Sequence, residues 1–395
     1  MATLKTKILD IEFENPYILA SGPETALIES IDKAFEMGWG GAVLKTITSD
    51  TLELNEVSPR YATLKSKGKI IGFQNVELLS HYSVKYWCDG IRFLKEKHPT
   101  KVIIASIMAP VEKKEWQSLV NTLNETPVDA YELNFSCPHG MPEKNIGMAI
   151  GTSSEISSMI TAWVKEVAKR PVFVKLTPNV TDITQIAKAV ENVGADGFAT
   201  INTVQGFMGV DLETLEPNLC IDGFSTYGGC SGEIVKPIGL RCVSQLRRSS
   251  KLPILGIGGI STWQDAVQYI VVGADAVQIC TEVMLNGYCI INGLKNGLLK
   301  YLEEKDMNDI SELKGKVVPK ITSHEALNKK YRLHPDINPE KCVVCGKCVM
   351  VCSESEHQAL SKDSDAKCIK LNQAKCVGCT LCKHACPKEA ISMRL

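Results

Sequence analysis

Eight cysteines in two runs of identical spacing restrict the fold of this chain more tightly than any other feature. The runs are Cys342-x-x-Cys345-x-x-Cys348-x-x-x-Cys352 and Cys376-x-x-Cys379-x-x-Cys382-x-x-x-Cys386, the second followed by Pro387. Three thiolates at this spacing let one short loop wrap three corners of an iron–sulfur cube. The fourth cysteine of each run is carried away to the other cube. The expected ligand sets are therefore crossed: Cys342, Cys345, Cys348 and Cys386 for one [4Fe–4S] cluster, and Cys376, Cys379, Cys382 and Cys352 for the other. A pair of zinc sites needs only CxxC pairs, and four cysteines per run favour the cubes. The first run has Ser353 where the second has Pro387, and Cys368 belongs to neither run and is expected to be a packed thiol.

Nine of the sixteen cysteines lie from Cys342 onward, and the other seven are scattered between Cys88 and Cys289. A cluster of this kind reads as metal ligation in a reducing compartment, not as a disulfide framework. The formal net charge of −1 argues against a nucleic-acid footprint and against electrostatic attachment to lipid. No apolar run approaches the roughly 18 residues that span a bilayer, and the N-terminal residues lack a signal-peptide pattern, so a cytoplasmic protein is expected. Two clusters carry single electrons. A centre that converts one-electron steps into two-electron chemistry should lie elsewhere in the chain, and a flavin is the usual choice.

The 395 residues suit one large domain plus a small one. Eight short apolar runs punctuate residues 1–305: YILAS (17–21), GAVLKT (41–46), VIIASIM (102–108), AYELNFS (130–136), VFVKLT (172–177), GFATINT (197–203), PILGIGG (253–259) and AVQICTEV (276–283). Helical stretches separate most of them, the pattern of a (β/α)8 TIM barrel with strands buried on both faces. Polar residues gather at the C-terminal ends of these runs (Ser21, Lys45, Asn134, Lys175, Asn202), where such barrels place their active sites. Two long segments, 48–74 and 205–230, read as functional loops. Residues 306–334 are charged and aperiodic and read as a linker, and 335–395 form the small α+β module that holds the two clusters.

The stretch Glu132-Leu-Asn-Phe-Ser-Cys-Pro-His139 is similar to the active-site segment of dihydropyrimidine dehydrogenases, whose barrel is shared with dihydroorotate dehydrogenases. NEVSPR (55–60), NVELLS (75–80), IASIM (104–108), KLTPNVTDI (175–183), INTVQGFMG (201–209), STYGGCSG (225–232) and GGI (258–260) match in the same order. So do the two cysteine runs, which resemble a bacterial two-cluster ferredoxin, and the resemblance covers nearly the whole chain. It implies FMN in the barrel. It assigns Cys137 as the general acid that protonates C5 of a pyrimidine while hydride passes from FMN N5 to C6. It places Asn75, Asn134, Asn202 and Thr203 at the substrate edge, where carboxamides can pair with an imide that alternates C=O and N–H. Ala20, Ser21, Thr46 and Gly232 would line the FMN site, with Gly258, Gly259, Cys280 and Thr281 near its phosphate. Lys45 and Lys175 would sit near the isoalloxazine, because buried lysines call for an anionic partner. His139 receives no role.

The long single-chain members of that family carry FAD and nicotinamide domains, and no GxGxxG fingerprint opens a strand–helix unit here. The resemblance therefore implies a separate flavoprotein subunit that binds FAD, oxidises NADH or NADPH and feeds electrons through the clusters to FMN, within a dimer of heterodimers. The competing readings are a dihydroorotate dehydrogenase, a reductase of another cyclic amide, and an electron-transfer subunit with no substrate of its own.

Overall fold

The computed structural model describes residues 2–135, 148–355, 357–363 and 368–395, and the chain forms two compact units, Met1–Lys320 and Ile321–Leu395. Each of the eight apolar runs holds one strand of a closed parallel barrel: β1 (Tyr17–Leu19), β2 (Gly41–Val43), β3 (Val102–Ile107), β4 (Ala130–Asn134), β5 (Val172–Leu176), β6 (Gly197–Thr200), β7 (Ile254–Ile257) and β8 (Ala276–Ile279). The strands pair in chain order, and β8 closes on β1 through Val277–Tyr17 and Ile279–Leu19.

Alternation along each strand sorts side chains between two layers. Tyr17, Leu19, Ala42, Ile103 and Ala105 pack in the large core shared with the helices. The residues between them (Ile18, Val43, Val102, Ile104), with Ala130, Phe173, Ala199, Leu255 and Ala276, form a second cluster that fills the barrel. Ile8 and Phe13 join that cluster from the antiparallel hairpin Thr6–Ile8/Ile11–Phe13. Both layers are buried, and each fully buried aliphatic or aromatic side chain contributes roughly 1.5–3 kcal/mol before chain entropy is subtracted.

The outer helices form where apolar residues recur at helical spacing and stop signals follow. Ile28–Met37 buries Ile28, Ile31, Ala34 and Phe35 and ends at Gly38, whose φ of 103° suits glycine. Val84–Lys97 begins with the Ser83 hydroxyl accepting from the Tyr86 N–H at 3.2 Å and carries Lys95 and Lys97 in its last turn. Trp263–Val271 opens with a reciprocal Thr262/Asp265 capping box. Among the described residues no helix is long and apolar enough to cross a membrane.

The two long segments are not wholly loops. They supply a four-stranded antiparallel sheet in the order Val204–Gly206, Gly228–Ser231, Lys69–Asn75, Tyr61–Ser66. Its strands escape a sequence reading because none is a continuous apolar run: Tyr61–Ser66 and Lys69–Asn75 bury only scattered residues, and Val204–Gly206 and Gly228–Ser231 are short and glycine-bearing. Ala62 and Cys230 pack with Val76 and Met208 in a small core of their own. The turn signal was present: Lys67 and Gly68 both have positive φ (49° and 80°), as a two-residue hairpin turn requires. Farther along, Ile310 and Leu313 are buried in the barrel unit, and the Gly315 and Val317 N–H groups donate to the carbonyls of Ile270 and Val271.

In the C-terminal unit His334–Ile337 pairs antiparallel with Ile391–Arg394, and Leu360–Asp363 with Cys368–Leu371. Helix Lys347–Ser353 carries Cys348 and Cys352, and helix Leu381–Ala385 carries Cys382 and ends at Cys386. The small core consists of Cys348, Cys352, Ala359, Leu360, Cys382 and Ile391.

Candidate active site

The barrel interior changes character toward the C-terminal ends of its strands. Two residues beyond the apolar layer stand Ser106, Glu132, Lys175 and Gln278, all buried. Above them opens a cavity of about 580 Å³, within the usual range for a cofactor and small-substrate pocket. Every described barrel residue singled out from the sequence lines it: Ala20, Ser21, Lys45, Thr46, Asn75, Asn134, Lys175, Asn202, Thr203, Gly232, Gly258, Gly259, Cys280 and Thr281. Cys137 and His139 fall in 136–147, outside the described residues.

Hydrogen bonds tie the strand ends into one polar string. Thr46 Oγ1 lies 3.2 Å from Ser21 Oγ and 3.0 Å from Ser106 Oγ, and it accepts from Asn134 Nδ2 at 2.9 Å. Asn134 Oδ1 accepts from Asn202 Nδ2 at 3.0 Å, and Asn202 Oδ1 accepts from the Thr203 N–H at 2.9 Å. The Thr203 hydroxyl is buried and has no hydrogen-bond partner among the described residues, an orphan that a ligand in the cavity would satisfy. Asn75 differs from the other two asparagines. Its amide donates to the Gly229 carbonyl at 2.9 Å and its oxygen accepts from the Glu77 N–H at 3.3 Å, so the cap sheet holds it.

Both lysines have carboxylate partners that the sequence reading missed. Lys45 Nζ is 2.9 Å from Glu77 Oε2, and Lys175 Nζ is 3.2 Å from Glu132 Oε1. Gln278 Nε2 donates to the other Glu132 oxygen at 2.9 Å. Glu77 also faces Arg60 at 3.1 Å and the Tyr61 hydroxyl. Burial pushes the Glu77 carboxyl up, but Lys45, then Tyr61 and Arg60, outweigh it and hold it below the usual carboxylate range. The Tyr61 phenol is raised by burial and by its bond to Glu77. Glu132 and Gln278 could have been found from the strand repeat: each is an inward position two residues before a singled-out one, Asn134 and Cys280.

Glycines form the wall near Cys280 and Thr281. A Cβ on Gly259 would meet the Gly232 carbonyl at 2.7 Å, so these two backbones touch and no side chain fits between them. Backbone thus remains on the cavity wall, the condition under which amides approach a phosphate. The Thr281 and Ser231 hydroxyls sit 2.9 Å apart beside it. Volume, glycine wall, polar string and orphan hydroxyl suit FMN.

In the C-terminal unit two small cavities divide the cysteines. One is lined by Cys342, Cys345, Cys348 and Cys386, the other by Cys352, Cys376, Cys379 and Cys382. These are the crossed sets that the spacing predicts. The fourth sulfur of each set accepts a backbone N–H, from Ala359 to Cys352 at 3.2 Å and from Ala390 to Cys386 at 3.3 Å. Among the described residues no group of three His, Cys, Asp or Glu side chains is arranged to hold a single metal ion, whereas a cube needs its thiolates spread around a larger centre.

Comparison with known proteins agrees with both units. Residues 3–302 match the family "Dihydroorotate dehydrogenase", and 335–393 match "4Fe-4S dicluster domain". The chain is 38% identical over 387 residues to the NAD-dependent dihydropyrimidine dehydrogenase subunit PreA of Escherichia coli (strain K12), covering 97% of this chain and 93% of that protein. It is 35% identical over 341 residues to the chloroplastic dihydropyrimidine dehydrogenase (NADP(+)) of Arabidopsis thaliana, covering 83% and 80%. Against the catalytic subunit of dihydroorotate dehydrogenase B (NAD(+)) of Pyrococcus abyssi identity is 37% over 312 residues, 79% of this chain and 98% of the relative.

Proposed function

Because this chain belongs to the dihydroorotate dehydrogenase family and continues into a 4Fe–4S dicluster domain, we propose that it reduces the 5,6 double bond of uracil or thymine to the 5,6-dihydro base, as the catalytic subunit of a two-subunit enzyme. It is an oxidoreductase whose cofactors are FMN and two [4Fe–4S] clusters.

The observation that carries the reading is the Asn134–Asn202–Thr203 string on the cavity wall. Carboxamides offer donor and acceptor together, so they suit a neutral imide edge, and a mismatched edge would leave buried polar groups unsatisfied. Orotate adds a carboxylate and asks for a cation. The lysines that line the cavity, Lys45, Lys69 and Lys175, already face Glu77, Glu233 and Glu132, which favours the neutral base over orotate.

In this reading Asn134, Asn202 and Thr203 orient the base, and Asn75 closes the site from the cap sheet. Gly232, Gly258, Gly259, Cys280 and Thr281 hold the FMN phosphate, with Ala20, Ser21 and Thr46 along the cofactor. Lys45 and Lys175, each fixed by its carboxylate, present N–H donors to the flavin ring. When bound, FMN supplies hydride to ring C6. Cys137 holds the proton for C5 at its sulfur; an ordinary thiol, with a pKa of about 8.5, keeps that proton at neutral pH. The crossed cysteine sets hold the two clusters, which pass electrons from a partner flavoprotein that binds FAD and oxidises NADH or NADPH.

The test is anaerobic photoreduction of the purified chain, followed by mixing with uracil, thymine or orotate while flavin absorbance and products are followed. Reoxidation by uracil or thymine with formation of the dihydro base is expected. Reoxidation by orotate alone would move the protein to the dihydroorotate branch. Reduced flavin that no pyrimidine reoxidises would reject the reading.

A further inference from the structure

We propose that Glu24 is a proton-holding residue of the flavin site: it takes up a proton from solvent when the anionic cofactor enters the cavity and stays neutral beside it. The inference rests on the reading of this cavity as an FMN site.

Glu24 lies in the turn Pro23–Thr25 that follows β1, and it is buried. The turn cannot swing outward easily. Thr25 Oγ1 donates within the turn and accepts from the Gly22 N–H, the Lys45 N–H donates to the Thr25 carbonyl at 3.1 Å, and the Tyr288 hydroxyl donates to the Glu24 carbonyl at 2.6 Å. The carboxyl sits directly behind the cavity wall. A Cβ on Gly22, a lining residue, would come within 2.4 Å of Glu24 Oε2 and 2.8 Å of Cys280 Sγ. Glu24 Oε2 accepts from the Cys280 thiol at 3.2 Å, whereas no other side chain among the described residues hydrogen-bonds the buried Oε1.

Burial outweighs what favours the ionised form of this carboxyl, namely its own backbone N–H, the Cys280 thiol and the two lysines Lys45 and Lys175. Glu24 is in none of the ion pairs found among the described residues, and the two nearby cations, Lys45 and Lys175, are bound to Glu77 and Glu132. The other titratable groups that face it are Cys280 and Tyr288. A buried carboxylate with a thiol as its side-chain partner is expensive in the ionised form, and burial raises its pKa to about 7 even with no anion in the cavity. A phosphate dianion brought into the cavity beside Gly22 and Cys280 repels the ionised form further. Binding of the cofactor is then linked to binding of a proton at Glu24, and by reciprocity affinity for the cofactor rises as pH falls.

The experiment removes FMN from the full chain with its clusters intact and titrates FMN back by calorimetry at pH 8, in two buffers of different ionisation heat. At that pH a phosphate monoester, with a second pKa of about 6, is already fully ionised and is not itself the proton sink. Uptake close to one proton per FMN is expected for the wild-type chain, and close to none for Glu24→Gln. Unchanged uptake in Glu24→Gln, or no uptake in the wild-type chain, would overturn the proposal. If the variant fails to fold, wild-type protein alone decides through infrared difference spectra: a protonated-carboxyl band should be gained on FMN binding at pH 8, and its absence would overturn the assignment. Failure of the wild-type chain to bind FMN at all would instead reject the flavin reading beneath it.

Discussion

The lower and upper halves of the barrel interior come from the same strands and differ by a single step of the strand repeat. Below are Ile18, Val43, Ala130, Phe173, Leu255 and Ala276, with no polar side chain among them. Two residues farther along, roughly 6.6 Å at 3.3 Å per residue, stand Ala20, Lys45, Glu132, Lys175, Ile257 and Gln278. The lower layer is held by packing alone. In the upper layer each lysine has its carboxylate and Glu132 has Gln278 as well. Stability and chemistry are therefore stacked along one axis, close enough to share backbone and different enough to be perturbed separately.

That separation is open to test, and the largest effect should come from the proposed acid. Cys137→Ala should lower turnover about 10²–10⁴-fold, the usual contribution of a positioned acid, while FMN content and melting temperature stay near wild type. Near-normal turnover would remove Cys137 from the role. The lower layer should respond in the opposite sense. Phe173→Ala should cost about 3–5 kcal/mol in denaturant unfolding, with FMN per folded molecule unchanged; equal loss of both would show that the layers are not separable. Glu132→Ala leaves Lys175 buried without its carboxylate and should cost about 3 kcal/mol or more, accompanied by weaker flavin binding, which Phe173→Ala should not produce. Stability unchanged by this substitution would mean the pair is not sealed from solvent.

Three smaller effects sharpen the contrast around the cavity. The Glu24 carboxyl is raised to about 7, so the folded apo-protein holds a proton there that the unfolded chain has released. Its contribution to stability is fully present below the unfolded pKa of about 4.3 and is lost as pH rises to about 7, an effect of order 3 kcal/mol. Glu24→Gln should accordingly stabilise apo-protein above pH 7 relative to wild type and bring no such gain at pH 4. Glu77 carries the reverse sign. Its carboxyl is depressed, so its contribution is present above the unfolded pKa and is lost as pH falls through the folded one. A pH-stability series on Glu77→Gln should show its deficit shrinking toward acid. Smallest of all, Ser231→Ala removes the 2.9 Å partner of Thr281 and should cost about 1 kcal/mol, read as a slight loss of FMN affinity.

Much of this architecture is legible in the chain. The eight apolar runs locate the eight barrel strands because parallel strands, covered on both faces, must be apolar through their centres. The expected grouping of three cysteines per run follows from spacing because a cube's first three ligands come from one short loop, a local constraint that needs no knowledge of the rest of the fold. The strand-end residues Ser21, Lys45, Asn134, Lys175 and Asn202 stand out because a polar group that ends an apolar run has few reasons to be there.

What the sequence alone left open are the partners of those residues. Glu77 reaches Lys45 across 32 positions, Gln278 reaches Glu132 across 146, and Cys280 reaches Glu24 across 256. The cap sheet that holds Asn75 joins strands from two distant segments, none of them a continuous apolar run that would announce itself. Local pattern determines which residues become strand and which face they take, because pleat and helix pitch act over a few residues. Which charge meets which is decided only when closure of the barrel brings the strand ends together, since no short-range rule records the far side of a ring.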